Sequence, residues 1–263
     1  MNQAADNSTR ENVERPVNSS ARIAFFGGSF DPPHLGHLAI ARAARDAFHL
    51  DSVLFAPVGA QPLKPEGSGA RFEDRLAMTR LAIEGEPGFA ISLADAPKSA
   101  GAERGAAPEP NYTLNTLHSL RTAFPPETAL YCLMGADSFF GLRHWHRAAE
   151  IPFAASLIVA SRPGQLLDGL KEALPPGLTL EPSTVAGREE SGIMVRSYTL
   201  LGPAGKRAPF FVLPDLDVAI SASAIRDAIN SASQSGSTVA EASLRTMLPA
   251  AVADYIRSHG LYR

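Results

Sequence analysis

A strand, a glycine turn, a helix and a second strand follow one another near the start of the chain, and this succession constrains the fold more than any other feature. ARIAFFGG (residues 21–28) is a short apolar run cut off by Gly27 and Gly28. HLAIARAARDAF (37–48) carries its apolar residues at helical spacing, and SVLFAP (52–57) is strand-like again. Together they make a β-α-β unit, whose strands are parallel and whose crossover is right-handed. The alternation continues along the chain. A helix is expected over 71–84, with Leu76, Thr79, Ala82 and Ile83 on one face, then a strand at FAISLAD (89–95), a helix over 113–124 and a strand at ALYCLMG (129–135). DSFFGLRHWHRAAE (137–150) reads as one helix, ASLIVAS (155–161) and FFVLP (210–214) as strands, ISASAIRDAIN (220–230) as a helix, and 243–261 as one or two helices broken near Pro249. Such a pattern predicts an α/β protein whose mostly parallel sheet is covered by helices.

At 263 residues the chain suits one large domain better than two equal ones, given about 100 to 200 residues per domain. That domain is expected over 21–263. Residues 1–20 have no helical or strand period and read as a disordered tail. Residues 96–111 and 174–208 break the rhythm and read as insertions, the second with room for a strand or two at SGIMVRSYTLL. The 24 basic and 27 acidic side chains give a net charge of −3, without the basic excess that binding nucleic acid requires. No apolar run approaches the roughly 18 to 20 residues that span a bilayer, so no membrane association is expected. The single cysteine, Cys132, forms no intrachain disulfide, fits a reducing cytoplasm and reads as a small core residue.

The chemistry concentrates in two segments. GGSFDPPHLGH, Gly27 to His37, lies between the first strand and the first helix, where ligands bind in an open α/β sheet and where a helix N-terminus favours an anion. His34 and His37, three apart, are placed to point their imidazoles the same way. Neither the GxGxxG fingerprint nor the Walker GxxxxGK[ST] is present, so this is a different phosphate cradle. ISASAIR, Ile220 to Arg226, offers Ser221 or Ser223 as a helix cap and Arg226 one turn further on. Taken separately, the histidine pair also suits a solvated helix start, and ISASAIR an ordinary cap with a surface arginine. Taken together, the two segments supply glycine backbone, two imidazoles, two hydroxyls and a guanidinium, a set matched to a polyphosphate. No spacing suits a zinc site, and no protein metal ligands are expected. Arg71 and Arg75 read as helix-surface residues, with a place near the nucleotide pocket left open for Arg75, and His144 and His146 receive no role.

GGSFDPPHLGH resembles the nucleotidyltransferase signature HxGH, and ISASAIR resembles its C-terminal partner motif. Between them VGAQPLK, NYTLNTL, GADSFFGLRHW and ASRPG stand in the order seen in bacterial nicotinate-nucleotide adenylyltransferases, and VADYIRSHGLY resembles their closing helix. This resemblance, from Arg22 to Tyr262, implies a Rossmann-like nucleotidyltransferase fold with helices on both faces. It implies transfer of AMP from ATP to nicotinate mononucleotide, with Mg²⁺ bound mainly through the ATP phosphates. His34, His37 and Arg226 would be the catalytic groups. ATP would be held by Gly27, Gly28, Ser29, Phe30, His34, His37, Lys64, Gly135, Asp137, Ser221, Ser223 and Arg226, and nicotinate mononucleotide by Lys64, Thr113, Asp137 and Trp145. Asp137 also suits an N-cap, and Trp145 a core position. Where members often carry proline and histidine before the lysine, this chain has Pro62 and Leu63 before Lys64. Phosphopantetheine adenylyltransferase, a dual-specific mononucleotide enzyme and a non-catalytic nucleotide sensor are the alternative readings, and a homo-oligomer is left open.

Overall fold

A computed structural model describes residues 20–63, 67–98, 109–161, 168–183, 188–190, 192–216, 220–235 and 244–263. Its strands are β1 (Arg22–Gly28), β2 (Ser52–Pro57), β3 (Phe89–Ile91), β4 (Ala129–Gly135), β5 (Ser156–Ala160), β6 (Thr179–Pro182), β7 (Arg188–Glu190), β8 (Ile193–Leu201) and β9 (Arg207–Leu213). The helices are α1 (Leu35–Phe48), α2 (Phe72–Ile83), α3 (Thr113–Ala123), α4 (Ala136–Phe140), α5 (Ile151–Ala154), α6 (Asp168–Glu172), α7 (Ala222–Ser235) and α8 (Ala250–His259). The sheet runs β3-β2-β1-β4-β5-β9-β8-β6, with β7 also on β8. From β3 to β9 every pairing is parallel, and β8 joins β9 antiparallel. The chain leaves β1 for β2 on one side and later returns to β4 on the other, so the sheet changes direction between β1 and β4. A crevice opens there at the carboxyl ends of the strands.

Period-two alternation along β1 supplies both faces of the sheet. Ala24 and Phe26 pack with Leu38, Ala41, Ala44 and Phe48 of α1 and with Val53 and Phe55 of β2. Ile23 and Phe25 pack on the other side with Leu114, Leu117 and Leu120 of α3, with Cys132 and Met134 of β4, and with Phe139. A third cluster joins Met78 and Ala82 of α2 to Ile225 and Ile229 of α7 and Val252 and Ile256 of α8. Each large side chain so buried contributes about 1.5 to 3 kcal/mol, and the three clusters hold helices on both faces. Among the described residues no helix is long and apolar enough to cross a membrane.

Four expectations need correction. The helix expected over 137–150 stops at Phe140; single 3₁₀ turns follow at Leu142–His144 and Ala148–Glu150, and Trp145 between them is extended at φ −78°, ψ 154°. Gly141 ends the first piece, and Arg147 takes a left-handed φ of 50° that a continuous helix excludes. The strand expected over 89–95 covers only Phe89–Ile91, because the chain turns at Leu93–Asp95 and Ala96 N–H closes on Leu93 O at 3.0 Å. On α2, Arg75 and Met78 are buried with Thr79, Ala82 and Ile83, while Leu76 is only half-buried. Gly135, not Asp137, caps α4. As expected, α8 begins after Pro249, and within SGIMVRSYTLL residues Ile193–Leu201 form β8, which with β6 and β7 extends the sheet through parts of 174–208. Residues 1–19 of the expected tail, residues 99–108 within the first expected insertion, and Lys64 lie outside the described residues.

Candidate active site

The crevice holds a cleft of about 830 Å³. Gly27, Gly28, Ser29, Phe30, His34 and His37 line it from β1 and the start of α1, and Gly135, Asp137 and Trp145 from the β4–α4 side. Thr113 lines it from α3, and Ser221, Ser223 and Arg226 from α7. Every sequence-predicted site residue that the structure describes is therefore at one cavity; Lys64 follows the cleft residues Pro62 and Leu63 but is itself outside the described residues.

Local backbone demands explain the first wall. A Cβ on Gly27 would come within 2.7 Å of Phe25 Cζ, so glycine lets the strand end pass over that ring without displacing it. Phe30 adopts a left-handed φ of 47°, which costs a non-glycine residue about 1 to 3 kcal/mol. Its buried ring is held edge-on to Phe26 at 5.6 Å and to His37 at 5.0 Å, and this packing sustains the backbone turn.

The two imidazoles stack at 3.7 Å, and His37 Nδ1 accepts the His34 backbone N–H at 3.2 Å. That bond leaves Nε2 as the protonated nitrogen of a neutral His37. Burial, then the neighbouring His34, lowers the His37 pKa well below 6.5, so the ring is neutral at pH 7. His37 is thus a fixed neutral donor beside the positive end of the α1 dipole.

Asp31 ties this wall to the opposite one. It is buried, and its Oδ1 accepts Ala70 N–H at 3.1 Å and Tyr262 O–H at 2.7 Å, while Oδ2 accepts Gly69 N–H at 2.7 Å. Arg226 donates through Nη1 to the Asp31 carbonyl at 2.7 Å and through Nη2 to Ser223 Oγ at 3.3 Å. Ser221 Oγ accepts Ala224 N–H at 3.2 Å and so caps α7.

Arg75 corrects the surface reading. It is only 2% exposed and donates to the carbonyls of Ser29 at 2.6 Å, Val58 at 2.8 Å and Ala70 at 3.3 Å. Burial lowers its pKa, with Asp31 the largest opposing influence. Its signal was present in the sequence: Arg75 shares a helical stripe with Met78, Thr79 and Ala82. Asp31 and Tyr262 lay inside recognised motifs but carried no assigned role. Also unassigned were Asp95 and Asn111, buried at the cleft, and His144 and His146, which line it. Thr116 donates a short hydrogen bond to Asp95, whose carboxyl is raised by burial. His146 stacks on Tyr112 at 4.3 Å. Cys132 is core, as expected, and burial pushes its thiol up to about 12, which removes it as a nucleophile.

A neutral imidazole donor, a guanidinium and hydroxyls surround a crevice at the strand ends, a set of groups suited to phosphate. The cytidylyltransferase-like family model matches residues 25–228 and spans both motifs, which makes this a nucleotidyltransferase. Probable nicotinate-nucleotide adenylyltransferases of Gloeobacter violaceus and Laribacter hongkongensis are 34% and 37% identical, each over 92% of this chain and over 96% and 94% of their own lengths. The chain belongs to the nicotinate-nucleotide adenylyltransferase family. A solved structure titled Plasmodium falciparum nicotinic acid mononucleotide adenylyltransferase complexed with NaAD shares the fold, with a TM-score of 0.63 at 14% identity, over 92% of this chain and 97% of that one.

Proposed function

We propose that the protein transfers the AMP moiety of ATP to nicotinate mononucleotide, forming nicotinate adenine dinucleotide (deamido-NAD) and pyrophosphate. One observation carries this reading: groups 195 positions apart, in the loop before α1 and on α7, meet at one cleft through the Arg226–Asp31 bond. A phosphate oxygen of the acceptor attacks the α-phosphorus of ATP, and the bond to the bridging oxygen breaks in line, its electron pair leaving with pyrophosphate. No protein nucleophile takes part, so the task is positioning and charge stabilisation.

In this reading His37 donates Nε2–H to an α-phosphate oxygen as charge develops there, and His34 binds phosphate in the ground state as well. Ser221, Ser223 and Arg226 grip the β- and γ-phosphates, against the backbone of Gly27, Gly28, Ser29 and Phe30. Arg226 has five N–H donors, and its two hydrogen bonds to Asp31 and Ser223 use two of them. Gly135 and Asp137 contact nucleotide, Lys64 adds charge near the triphosphate, and the Trp145 indole stacks on the pyridine ring. Mg²⁺ would supply charge neutralisation between phosphate oxygens. In this reading the ion is held by phosphate oxygens and water.

Preference for the acid form follows from α3. Its first turn contains no acidic residue and begins at Thr113 on the cleft, so its unpaired N–H groups and positive dipole end favour a carboxylate. The amide of nicotinamide would set its NH₂ donors against those donors. A cytoplasmic location, on the cysteine usage, completes the proposal. The test is product identification: ATP and nicotinate mononucleotide should yield a dinucleotide of the summed mass less pyrophosphate. Release of ADP or AMP alone, or ATP binding without turnover, would reject the reading.

A further inference from the structure

Four stretches of chain converge on the buried carboxylate of Asp31: its own loop, Gly69–Ala70 before α2, Arg226 on α7, and Tyr262 in the turn after α8. The packing is tight. A Cβ on Gly69 would sit 3.4 Å from Arg226 Cδ, Asp31 Oδ2 and Tyr262 Cε1 alike. Arg226 Nη1 stands 3.9 Å from Asp31 Oδ2, beyond hydrogen-bond range, and bonds instead to the Asp31 backbone carbonyl. The guanidinium is therefore at ion-pair distance from the carboxylate without a hydrogen bond to it. The other nearby guanidinium, Arg75, is already committed to three carbonyls.

We infer that Tyr262 is a positioning residue for the nucleotide phosphates: its hydroxyl occupies Asp31 and so keeps Arg226 available to ATP. The inference rests on the proposed role of Arg226 as a phosphate grip. Without the phenol hydroxyl, Oδ1 would keep only the Ala70 N–H, and a buried carboxylate short of a donor draws the closest free cation. Arg226 needs to move by only about one ångström to close on it. Burial and the Asp31 carboxylate push the Tyr262 phenol far above its ordinary range, so it remains a donor at every working pH. Tyr255 provides an internal control. It sits on α8 and donates a similar bond to Asp74 at 3.0 Å, but neither residue lines the cleft.

Calorimetry with ATP and no acceptor reads the inference directly. Tyr262→Phe should weaken ATP binding about tenfold, the equilibrium equivalent of one charge-assisted hydrogen bond, with the nicotinate mononucleotide KM within about twofold. Tyr255→Phe should leave ATP affinity unchanged. In an Asp31→Asn background, where no carboxylate can capture Arg226, adding Tyr262→Phe should change ATP affinity little. The comparison of Asp31→Asn with Asp31→Asn/Tyr262→Phe is read on its own, so it decides the inference even if the single Tyr262 variant is unstable. Unchanged ATP affinity in Tyr262→Phe, equal losses in the two tyrosine variants, or an undiminished Tyr262 effect in the Asp31→Asn background would each overturn the inference. Tight ATP binding by unmutated protein that makes no dinucleotide would overturn the proposed function alone, with the tyrosine comparison still deciding this one. Failure of the unmutated protein to bind ATP would overturn both.

Discussion

His37 is where the side-chain geometry makes its sharpest claim. Its Nδ1 is occupied by the His34 N–H and its ring is held between His34 and Phe30, so it has one proton to offer and one orientation in which to offer it. His37→Ala should lower kcat about 10² to 10³-fold with a smaller change in KM, as when a single preorganised donor is lost. A near-wild-type kcat in the folded variant would refute the assignment. Its lowered pKa also predicts a pH dependence of stability. Below about pH 6.5 the unfolded chain binds a proton that folded His37 refuses, so stability falls as the pH drops through that range and is fully present above it. Melting temperature should therefore decline more steeply from pH 8 to pH 5 in the unmutated protein than in His37→Ala. Arg75 belongs to the same scale. Arg75→Met strands the carbonyls of Ser29, Val58 and Ala70, at a cost of about 3 kcal/mol or more in chemical denaturation. Arg75→Lys should recover only part, because an ammonium lacks the planar fork. Motif residues such as His34, His37, Ser223 and Arg226 were legible as candidates for one site because their residue types suit a polyphosphate and their motifs resemble the family's, and the structure brings them to one cleft. Asp31 and Tyr262 were not, because a buried hub is defined by what folds onto it from 39 and 231 positions away.

Between residues and the whole, the elements that failed to follow the sequence pattern lie at the cleft. A helical run over 137–150 is interrupted by Gly141 and the left-handed Arg147, and the extended link between its 3₁₀ turns brings Trp145 to the cavity while its ring still packs on the core. Periodicity suggested a continuous helix because it registers apolar spacing and not the backbone reversal that tertiary packing imposes. The shortened β3 has a similar cause: the turn at Leu93–Asp95 carries Asp95 under Gly27 and sets Pro97 against Gly59. At Gly59 an added Cβ would stand 2.5 Å from Pro97 N and Cα, which are backbone and cannot swing aside. Gly59→Ala should therefore destabilise by about 3 kcal/mol or more, whereas Gly27→Ala, opposed only by the tip of the Phe25 ring, should cost about 1 to 3 kcal/mol. Equal midpoints for the two variants in urea would contradict this ordering.

For the molecule as a whole, the alternation of strands and helices made the parallel sheet and its helical layers legible, because each β-α-β unit dictates its own handedness and neighbour. The antiparallel edge of β6, β7 and β8 was less so. Its residues alternate weakly, and pairing of β8 to β9 and of β6 and β7 to β8, rather than local pattern, creates those strands. The crevice at the sheet reversal between β1 and β4 gathers the starts of α1 and α3 and the α7 residues Ser223 and Arg226 around one cavity, and the proposed division between a triphosphate and an acidic mononucleotide rests on that arrangement. The most direct test of that division is the steady-state rate of pyrophosphate release from Mg²⁺-ATP with nicotinate mononucleotide, nicotinamide mononucleotide or phosphopantetheine as sole acceptor. The account predicts turnover with nicotinate mononucleotide, a kcat/KM at least about tenfold lower with nicotinamide mononucleotide, as expected when donors face donors, and none with phosphopantetheine. Equal kcat/KM for the two mononucleotides would contradict the role given to α3, and release with phosphopantetheine alone would contradict the central claim.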